Sequence, residues 1–476
     1  MTRMPCWTII EPDRKRCGPR RSWLVLGTAA VAFAAAAAAN VRADEWPQWM
    51  GPKRDGVWRE AGVVDAIPPG GLPVRWRVAV KGGYSGPAVA DGRVYLTDYD
   101  RAGGDTENDP SRRNELTGRE RVLCYDAATG ALLWKHEYDC PYAISYPAGP
   151  RCTPTVAAGR VYTLGAEGNL LCLDAAKGTV HWSRDFKKDF AAPTPIWGFC
   201  GPPLVDGDAL ICLVGGPGSV AVAFDKNTGR ERWRAVSASE SGYSPPTIIE
   251  SGGVRQLLIW DADKLNSLDP ATGKVHWSQP LKPSYGMSIM APRVADTAAG
   301  KVLFASGIGR VGALYRLAAD EPAASVAWRG QPKTAVYCAN STPFIDGETL
   351  YGVDCDTGML TAVDLATGDR LWETAEPTMG GTRRGSHGTA FLVRHDPTAG
   401  GGGPPAAGGT WIFSETGDLI LARLTPESYA EVGRMRLLEP TGECFGREVV
   451  WSHPAFANRC VFARNDRELI CVSLAK

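Results

Sequence analysis

Aromatic, cationic and amide side chains recur at comparable places along the chain, each a few residues before a Pro- or Gly-containing segment. Aromatic faces, guanidinium groups and amides arranged around a concavity can bind anionic, sugar-like or peptide ligands. The same residues can also simply brace loops. The candidate ligand-binding residues are Tyr84, Arg151, Trp197, Tyr243, Tyr285, Asn340, Arg384, His387 and His453.

The sequence does not mark a catalytic group among these candidates. Ser386 precedes His387, but adjacent side chains of an extended segment point apart, so the two do not form a catalytic pair. There is no C-x-x-C motif, which argues against a zinc ribbon or a c-type haem site. The Gly-rich run Ala399–Gly409 has no strand–loop–helix context and is interpreted as a loop rather than a phosphate cradle. We therefore assign no catalytic or metal-ligating residue.

A five-fold repeat indicates which elements must position the candidates. In each copy an Asp is followed by Gly four residues later and by Trp eight residues later. The Asp side chain can accept hydrogen bonds from turn amides, and the Gly can adopt positive φ, so each copy predicts two strands joined by a tight turn. The copies are Asp126/Gly130/Trp134, Asp174/Gly178/Trp182, Asp225/Gly229/Trp233, Asp269/Gly273/Trp277 and Asp364/Gly368/Trp372.

The spacing of these units predicts an all-β fold, a single eight-bladed β-propeller of four-stranded blades. Successive Trp residues from Trp134 are 48, 51, 44, 51 and 44 positions apart, which suits four-stranded blades better than two-helix repeats. Unit five lacks the Asp turn, and Met435 is expected at the Trp position of unit seven. The strand around Trp76 has no preceding turn and is expected to complete the last blade. The predicted docking residues, packed between blades, are Trp76, Trp134, Trp182, Trp233, Trp277, Trp328 and Trp372.

The chain divides into a leader at 1–43, a lead-in at 44–71 and the propeller at 72–476. Basic residues followed by an Ala-rich apolar run predict a secretory signal cleaved near Ala43, with periplasmic or extracellular localisation. An uncleaved membrane anchor is the alternative, and both the Sec and the twin-arginine export routes fit the leader. The leader holds seven Lys/Arg and two Asp/Glu, so 45 basic and 50 acidic residues of the 52 of each remain, a net charge of −5. This balance does not favour nucleic acid as a partner.

Eleven of the 13 cysteines follow the leader. Export would permit disulfides, and Cys140 and Cys152, which flank one loop, are the best candidates for a bridge. Cys124, Cys172, Cys212 and Cys471 lie within apolar strand patterns and are expected to be buried small hydrophobes.

The repeated Asp-x-x-Thr-Gly-x-x-x-Trp pattern between 126 and 372 resembles the docking repeat of the pyrroloquinoline quinone (PQQ) propellers. That group includes quinoprotein alcohol dehydrogenases and the outer-membrane assembly factor BamB, which binds other proteins. The lead-in at 46–56 resembles that of exported propellers common in planctomycete bacteria. The resemblance implies PQQ and calcium as possible cofactors. It is incomplete, because no two Cys are adjacent, as the quinone enzymes require, and no acidic set aligns with their calcium ligands. Asp354, Asp356 and Glu415 are interpreted as solvated turn residues.

Three functions remain open at this point. The first is an exported scaffold that binds an unknown protein, small molecule or glycan without chemistry of its own. The second is a PQQ-dependent oxidoreductase acting on alcohols or sugars. The third is a polysaccharide-acting hydrolase or lyase that uses Arg and His side chains at the rim. Composition alone does not choose among them, because one fold hosts many functions.

Overall fold

The computed structural model describes residues 44–381, 383–398 and 409–476. Within these ranges eight antiparallel sheets follow one another around a ring, which confirms the predicted eight-bladed propeller. The predicted leader, 1–43, and the predicted Gly-rich loop up to residue 408 lie outside the described residues. No helix in the described part of the chain has the length and apolar character needed to cross a membrane.

Each blade contains four strands that run outward from the central channel. Blade one comprises Ala88–Ala90, Arg93–Gly104, Asn114–Asp126 and Leu132–Asp139. Blade two comprises Thr155–Ala157, Arg160–Leu164, Asn169–Asp174 and Val180–Asp185. Blade three comprises Leu204–Asp206, Ala209–Leu213, Ala221–Asp225 and Glu231–Ala235. Blade four comprises Thr247–Ser251, Val254–Trp260, Lys264–Leu268 and Val275–Pro280.

Blade five comprises Arg293–Thr297, Gly300–Gly307, Val311–Leu317 and Ala324–Arg329. Blade six comprises Phe344–Asp346, Thr349–Asp354, Met359–Asp364 and Arg370–Thr374. Blade seven comprises Ala390–His395, Thr410–Ser414, Asp418–Leu424 and Tyr429–Arg436. Blade eight comprises Ala455–Ala457, Cys460–Arg464, Glu468–Ser473 and Val74–Ala79.

A few short elements supplement the blades. Val57–Trp58 pairs in parallel with the inner strand of blade seven, and Tyr142–Ile144 extends blade one. Gly442–Cys444 and Arg447–Val449 form a separate hairpin between blades seven and eight. The helices are the five-residue Phe186–Phe190 and the 3-10 turn Ser284–Gly286.

The Asp–Gly–Trp repeat joins each blade to the next. Asp126 accepts hydrogen bonds from the amides of Ala128 and Thr129, and Gly130 adopts a φ of +74°. The ring of Trp76 covers Gly130 so closely that a Cβ there would lie 2.8 Å from it, and the indole donates to the Ala127 carbonyl at 3.0 Å. The same two contacts join Trp134, Trp182, Trp233 and Trp328 to the following blades. Burial of each indole contributes roughly 2–3 kcal/mol.

Trp277 makes a different hydrogen bond because blade five lacks the Asp turn. Its indole donates to the side-chain oxygen of Gln256 in its own blade, at 2.9 Å. Gln256 is fully buried and also accepts from Ser267 at 2.6 Å. A side-chain amide within the blade thus replaces the turn carbonyl that the neighbouring blade does not supply.

In blade seven, Gly433 and not Met435 stands at the docking position, so the prediction for Met435 is wrong. The docking Trp of blade one pairs with the last residue before a bulge in the third strand, Cys124. In blade seven the residue in that register is Gly433, opposite Leu421. A Cβ on Gly433 would lie 3.0 Å from the backbone oxygen of Ile67. The lead-in therefore occupies the space that a Trp side chain fills in the other blades.

The first strand of the propeller closes the ring, as predicted. Val74–Ala79 pairs antiparallel with Glu468–Ser473, and Trp76 lies opposite Cys471 just after a bulge. Arg464, which is fully buried, secures the same junction by donating to the carbonyls of Asn465 and Lys81. Blade eight is thus assembled from the two ends of the described chain.

The lead-in crosses the central channel. Trp46 pairs with the inner strand of blade one at Val89, and the Pro47 carbonyl accepts from blade two at 2.8 Å. Eight residues after Trp46, the guanidinium of Arg54 donates to the carbonyls of Pro202 and Pro203 in blade three. Val57 and Trp58 then reach blade seven. A segment of this length can contact blades on opposite sides of the ring only by spanning the channel. The lead-in therefore forms the floor of the channel.

All eleven described cysteines are unbridged, and the predicted Cys140–Cys152 disulfide is absent. Cys140 packs against Tyr99 and Tyr142 at the edge of blade one, with its thiol near Asn169. Cys152 packs in the neighbouring cluster around Phe199, so the two thiols belong to different parts of the core. Cys124, Cys172, Cys212 and Cys471 are buried, as predicted.

Candidate functional site

The loops that precede the inner strands surround a cavity of about 1350 Å³ above the floor formed by the lead-in. Every blade contributes to its wall. The structure brings eight of the nine candidates together there: Tyr84, Arg151, Trp197, Tyr243, Tyr285, Asn340, His387 and His453. The docking tryptophans lie on the outer strands, away from this wall. The repeat therefore joins the blades, whereas the loops before the inner strands form the cavity.

Arg384 does not line the cavity, unlike its neighbour His387. Its guanidinium forms an ion pair with Glu373 at 2.5 Å, and its side chain is 61% exposed. Glu373 also binds Arg370, so Arg384 belongs to a surface network at the outer strand of blade six. That acidic partner draws the side chain away from the channel, and the prediction of a cavity position for Arg384 is wrong.

Aromatic rings dominate the cavity wall. Trp197 and Tyr243 meet edge to face with centroids 5.8 Å apart, and Tyr146 lies 5.9 Å from Trp451. The Arg151 guanidinium lies over the ring of Tyr84 at 5.1 Å. Such contacts hold the rings in fixed orientations, with their faces or edges available to the cavity.

Two further aromatic residues at the site were missed by sequence reasoning. Trp49 reaches the cavity from the lead-in and meets His453 at 5.6 Å. Phe445, from the hairpin between blades seven and eight, stacks on His387 at 4.9 Å with the rings 13° apart. Trp46 and Trp49, beside Pro and Gly residues, are a sequence signal of an ordered segment that packs on the propeller. The sequence around Phe445 carries no comparable signal.

The charged groups of the cavity are few and mostly engaged. Arg151 donates to the carbonyls of Ser145 and Tyr146 at 2.8 and 2.6 Å. Lys282 forms an ion pair with Asp263 at 2.9 Å. Among the described residues that line the wall, Glu240 is the acidic one; its pKa is raised by burial, an effect that the charge of Arg113 opposes.

Both imidazoles of the cavity are kept neutral at physiological pH. Burial, helped by the nearby charge of Arg447, lowers the pKa of His387. Burial lowers the pKa of His453 to about 3, and its ring lies 4.1 Å from that of Phe391. Desolvation disfavours the imidazolium, so each ring acts as an uncharged aromatic surface in the wall.

Comparisons with known proteins agree with this geometry. The model of the family described as outer membrane protein assembly factor BamB matches residues 118–374, more than half of the chain. The chain belongs to this family. A search of curated proteins gives no significant match.

Two solved structures share the fold of this BamB-family chain. BamB from Moraxella catarrhalis superposes with a TM-score of 0.52 at 15% identity, covering 84% of this chain and 97% of that one. The quinohemoprotein alcohol dehydrogenase from Comamonas testosteroni superposes with a TM-score of 0.59 at 14% identity, covering 91% of this chain and 81% of that one. At these identities the likeness concerns the fold alone.

The acidic residues near the inter-strand turns of this BamB-family chain are mostly structural and buried. Asp354 is fully buried and binds Arg370 at 2.7 Å, while Glu415, 1% exposed, accepts from Arg447 at 2.7 Å. Asp356 is partly exposed and binds Arg310 at 2.8 Å. The prediction of solvated turn residues is therefore wrong for Asp354 and Glu415, whose guanidinium partners come from sequence positions that local patterns do not connect to them.

The described residues of the cavity do not fit a calcium-bound quinone. Calcium requires six to eight oxygen ligands, usually including several carboxylates. Among the described residues no group of three or more His, Cys, Asp or Glu side chains could hold a metal ion. Glu240 lies in the wall without a second free carboxylate beside it. The likeness to quinoproteins therefore concerns the propeller fold.

Proposed function

We propose that this BamB-family propeller is an exported binding protein that holds its ligand in the central cavity and performs no chemistry on it. The observation that carries this proposal is the closed cavity itself, walled by aromatic rings from loops of different blades. A concave, largely apolar site with a few polar groups is the usual form of a ligand pocket.

The state of the polar groups also supports binding over catalysis. A general acid or base works best with a pKa near the operating pH. Burial lowers the pKa of His453 to about 3, far below physiological pH. In the described part of the chain, neither His453 nor His387 has a hydrogen bond between its ring and a Ser or Cys of the wall.

Site-directed photo-crosslinking tests the location of binding. A benzoylphenylalanine replacing Tyr285, at the cavity mouth, should crosslink a component of an envelope extract. The same group replacing Arg384 is the matched control, since that position is exposed but points away from the cavity. Equal crosslinking from both positions would refute a specific cavity ligand.

Cofactor reconstitution tests the absence of chemistry. Purified protein incubated with PQQ and Ca²⁺ should show no dye-linked oxidation of alcohols or sugars. Retention of the quinone together with turnover would replace the binding proposal with an oxidoreductase.

A further inference from the structure

Four of the aromatic groups around the cavity stand at alternate blades of the ring. Tyr84, Trp197 and Tyr285 precede the inner strands of blades one, three and five, and the stacked rings of His387 and Phe445 belong to the loops before and after blade seven. In a ring of eight, blade one faces blade five and blade three faces blade seven. We propose that the cavity ligand is a neutral oligosaccharide whose sugar rings stack on these aromatic faces; this inference rests on the proposed function.

The aromatic faces at the mouth are held in place before any ligand arrives. Tyr285 is 78% exposed, yet its backbone has a φ of +58° inside the turn Ser284–Gly286. The turn is fixed by hydrogen bonds from Ser284 to the Ile308 carbonyl and from Met287 to Ser284. A left-handed conformation is unfavourable for a non-glycine residue, and such strain concentrates at functional sites. An exposed phenol ring held at this cost is oriented for contact with something outside the protein.

A second part of the mouth, at blade seven, repeats this arrangement. Phe445 is 54% exposed, with a φ of +47°, and His387, on which it stacks, has a φ of +58°. The stacking fixes the orientation of the phenyl ring and leaves its other face open. Exposed aromatic side chains in strained backbone conformations therefore occur at two separate places around the entrance, as expected for a ligand that contacts more than one blade.

The electrostatics of the wall favour an uncharged ligand with polarised C–H groups. The face of an aromatic ring carries negative potential and attracts such groups, which cover one side of a pyranose ring. A polyanionic ligand would need free cationic partners. The two cationic side chains of the wall are engaged, Arg151 with carbonyl groups and the Tyr84 ring, and Lys282 with Asp263.

Free polar groups in the wall suit the hydroxyl groups of a sugar. The side-chain amide of Asn340 and the carboxyl of Glu240 have no hydrogen-bond partner among the described residues, and both line the cavity. An amide donates and accepts, and a carboxyl oxygen accepts from hydroxyl groups. Aromatic faces beside unpaired polar groups match a ring that is apolar on its face and polar at its edge. An apolar peptide would leave Asn340 and Glu240 without partners, at a cost in affinity.

The cavity is large enough for several sugar rings. Its volume of about 1350 Å³ exceeds the roughly 300–1,000 Å³ of pockets that hold drug-sized ligands. Because the lead-in forms the floor, a linear chain would enter by its end or lie across the mouth. Both modes place sugar rings against Tyr285.

The test is titration of the purified protein with neutral tetrasaccharides of glucose, mannose or xylose, followed by tryptophan fluorescence and calorimetry. At least one should bind and change the fluorescence of the wall tryptophans. Tyr285→Ala and Trp197→Ala should each weaken that binding at least tenfold. Leu132→Ala is the matched control, since Leu132 is 53% exposed on an outer strand, and it should leave the affinity unchanged.

The outcomes separate this inference from the proposed function. No heat or fluorescence change with any neutral tetrasaccharide, or tighter binding of tetragalacturonate, would overturn the saccharide assignment. If position 285 then still crosslinks a protein of the envelope extract, cavity binding stands and a peptide replaces the sugar. If position 285 crosslinks nothing, the proposed function is refuted as well.

Discussion

The packing of a docking Trp on its Gly can be tested with two glycines of blade four that share a backbone conformation. Gly273 has a φ of +74° and Gly253 a φ of +73°. A Cβ on Gly273 would lie 2.6 Å from the ring of Trp233, whereas a Cβ on Gly253 would have no atom within 4 Å. Replacing each by Ala therefore adds the same backbone strain, and only Gly273→Ala adds a collision.

The two free-energy changes follow from these differences. An Ala in the left-handed region costs about 1–2 kcal/mol, which sets the loss for Gly253→Ala. Gly273→Ala adds an overpacking cost of about 1–3 kcal/mol and weakens the indole hydrogen bond to the Pro270 carbonyl, worth about 1 kcal/mol. We expect a total loss of about 3–6 kcal/mol for Gly273→Ala, measured by urea unfolding monitored by circular dichroism.

A double-mutant cycle isolates the contact. When Trp233 is replaced by Ala, the collision disappears, so Gly273→Ala should then cost no more than Gly253→Ala. Equal losses for the two glycines in the presence of Trp233 would contradict the docking explanation, as would an unchanged penalty after removal of the indole.

Three further predictions concern buried charges and metal. Burial lowers the pKa of His453 far below the 6.5 of a solvated imidazole, so its contribution to stability is present above pH 6.5 and is lost as pH falls towards 3, by about 2 kcal/mol at pH 5. His453→Gln should flatten this pH dependence of the free energy of unfolding. Asp354→Asn should cost about 1.5–3 kcal/mol because it removes one charged hydrogen bond to Arg370, which keeps its ion pair with Glu373, whereas Asp356→Asn should cost under about 1 kcal/mol in the same urea assay. Millimolar Ca²⁺ should leave the thermal midpoint unchanged, and a clear rise would reveal an oxygen-ligand site.

The ring was predictable because its signals are local and repeated. Asp126, Gly130 and Trp134 lie within nine residues, and each has its residue type for a reason that a single hairpin explains. The closing role of the Trp76 strand followed from a count of strands, which needs only periodicity. The position of a residue just before an inner strand was also enough to predict most cavity residues, since the loops before all inner strands open on the same face of the propeller.

The sequence-based predictions that were wrong concern residues whose partners are distant in the chain. Arg384 turns away from the cavity because Glu373 pairs with it, and Glu415 is buried because Arg447 arrives from the next loop. Gly433 stands in the docking register opposite Leu421, and the lead-in at Ile67 fills the space of the missing Trp from more than 350 residues away. Such ion pairs and backbone contacts between distant segments form only in the folded chain, so composition and spacing do not reveal them.

The closing strand has a consequence for the order of folding. Val74–Ala79 must wait for Glu468–Ser473, a strand that follows it by almost 400 residues, before its edge is paired. Blades one to seven can form earlier from neighbouring segments, but joining the ring requires a highly non-local strand pairing, and such pairings form slowly. Until then the chain presents two open sheet edges that can pair with other chains. Loss of the last strand would leave these edges open permanently, so a chain cut just before Glu468 should associate with other copies rather than remain a monomer.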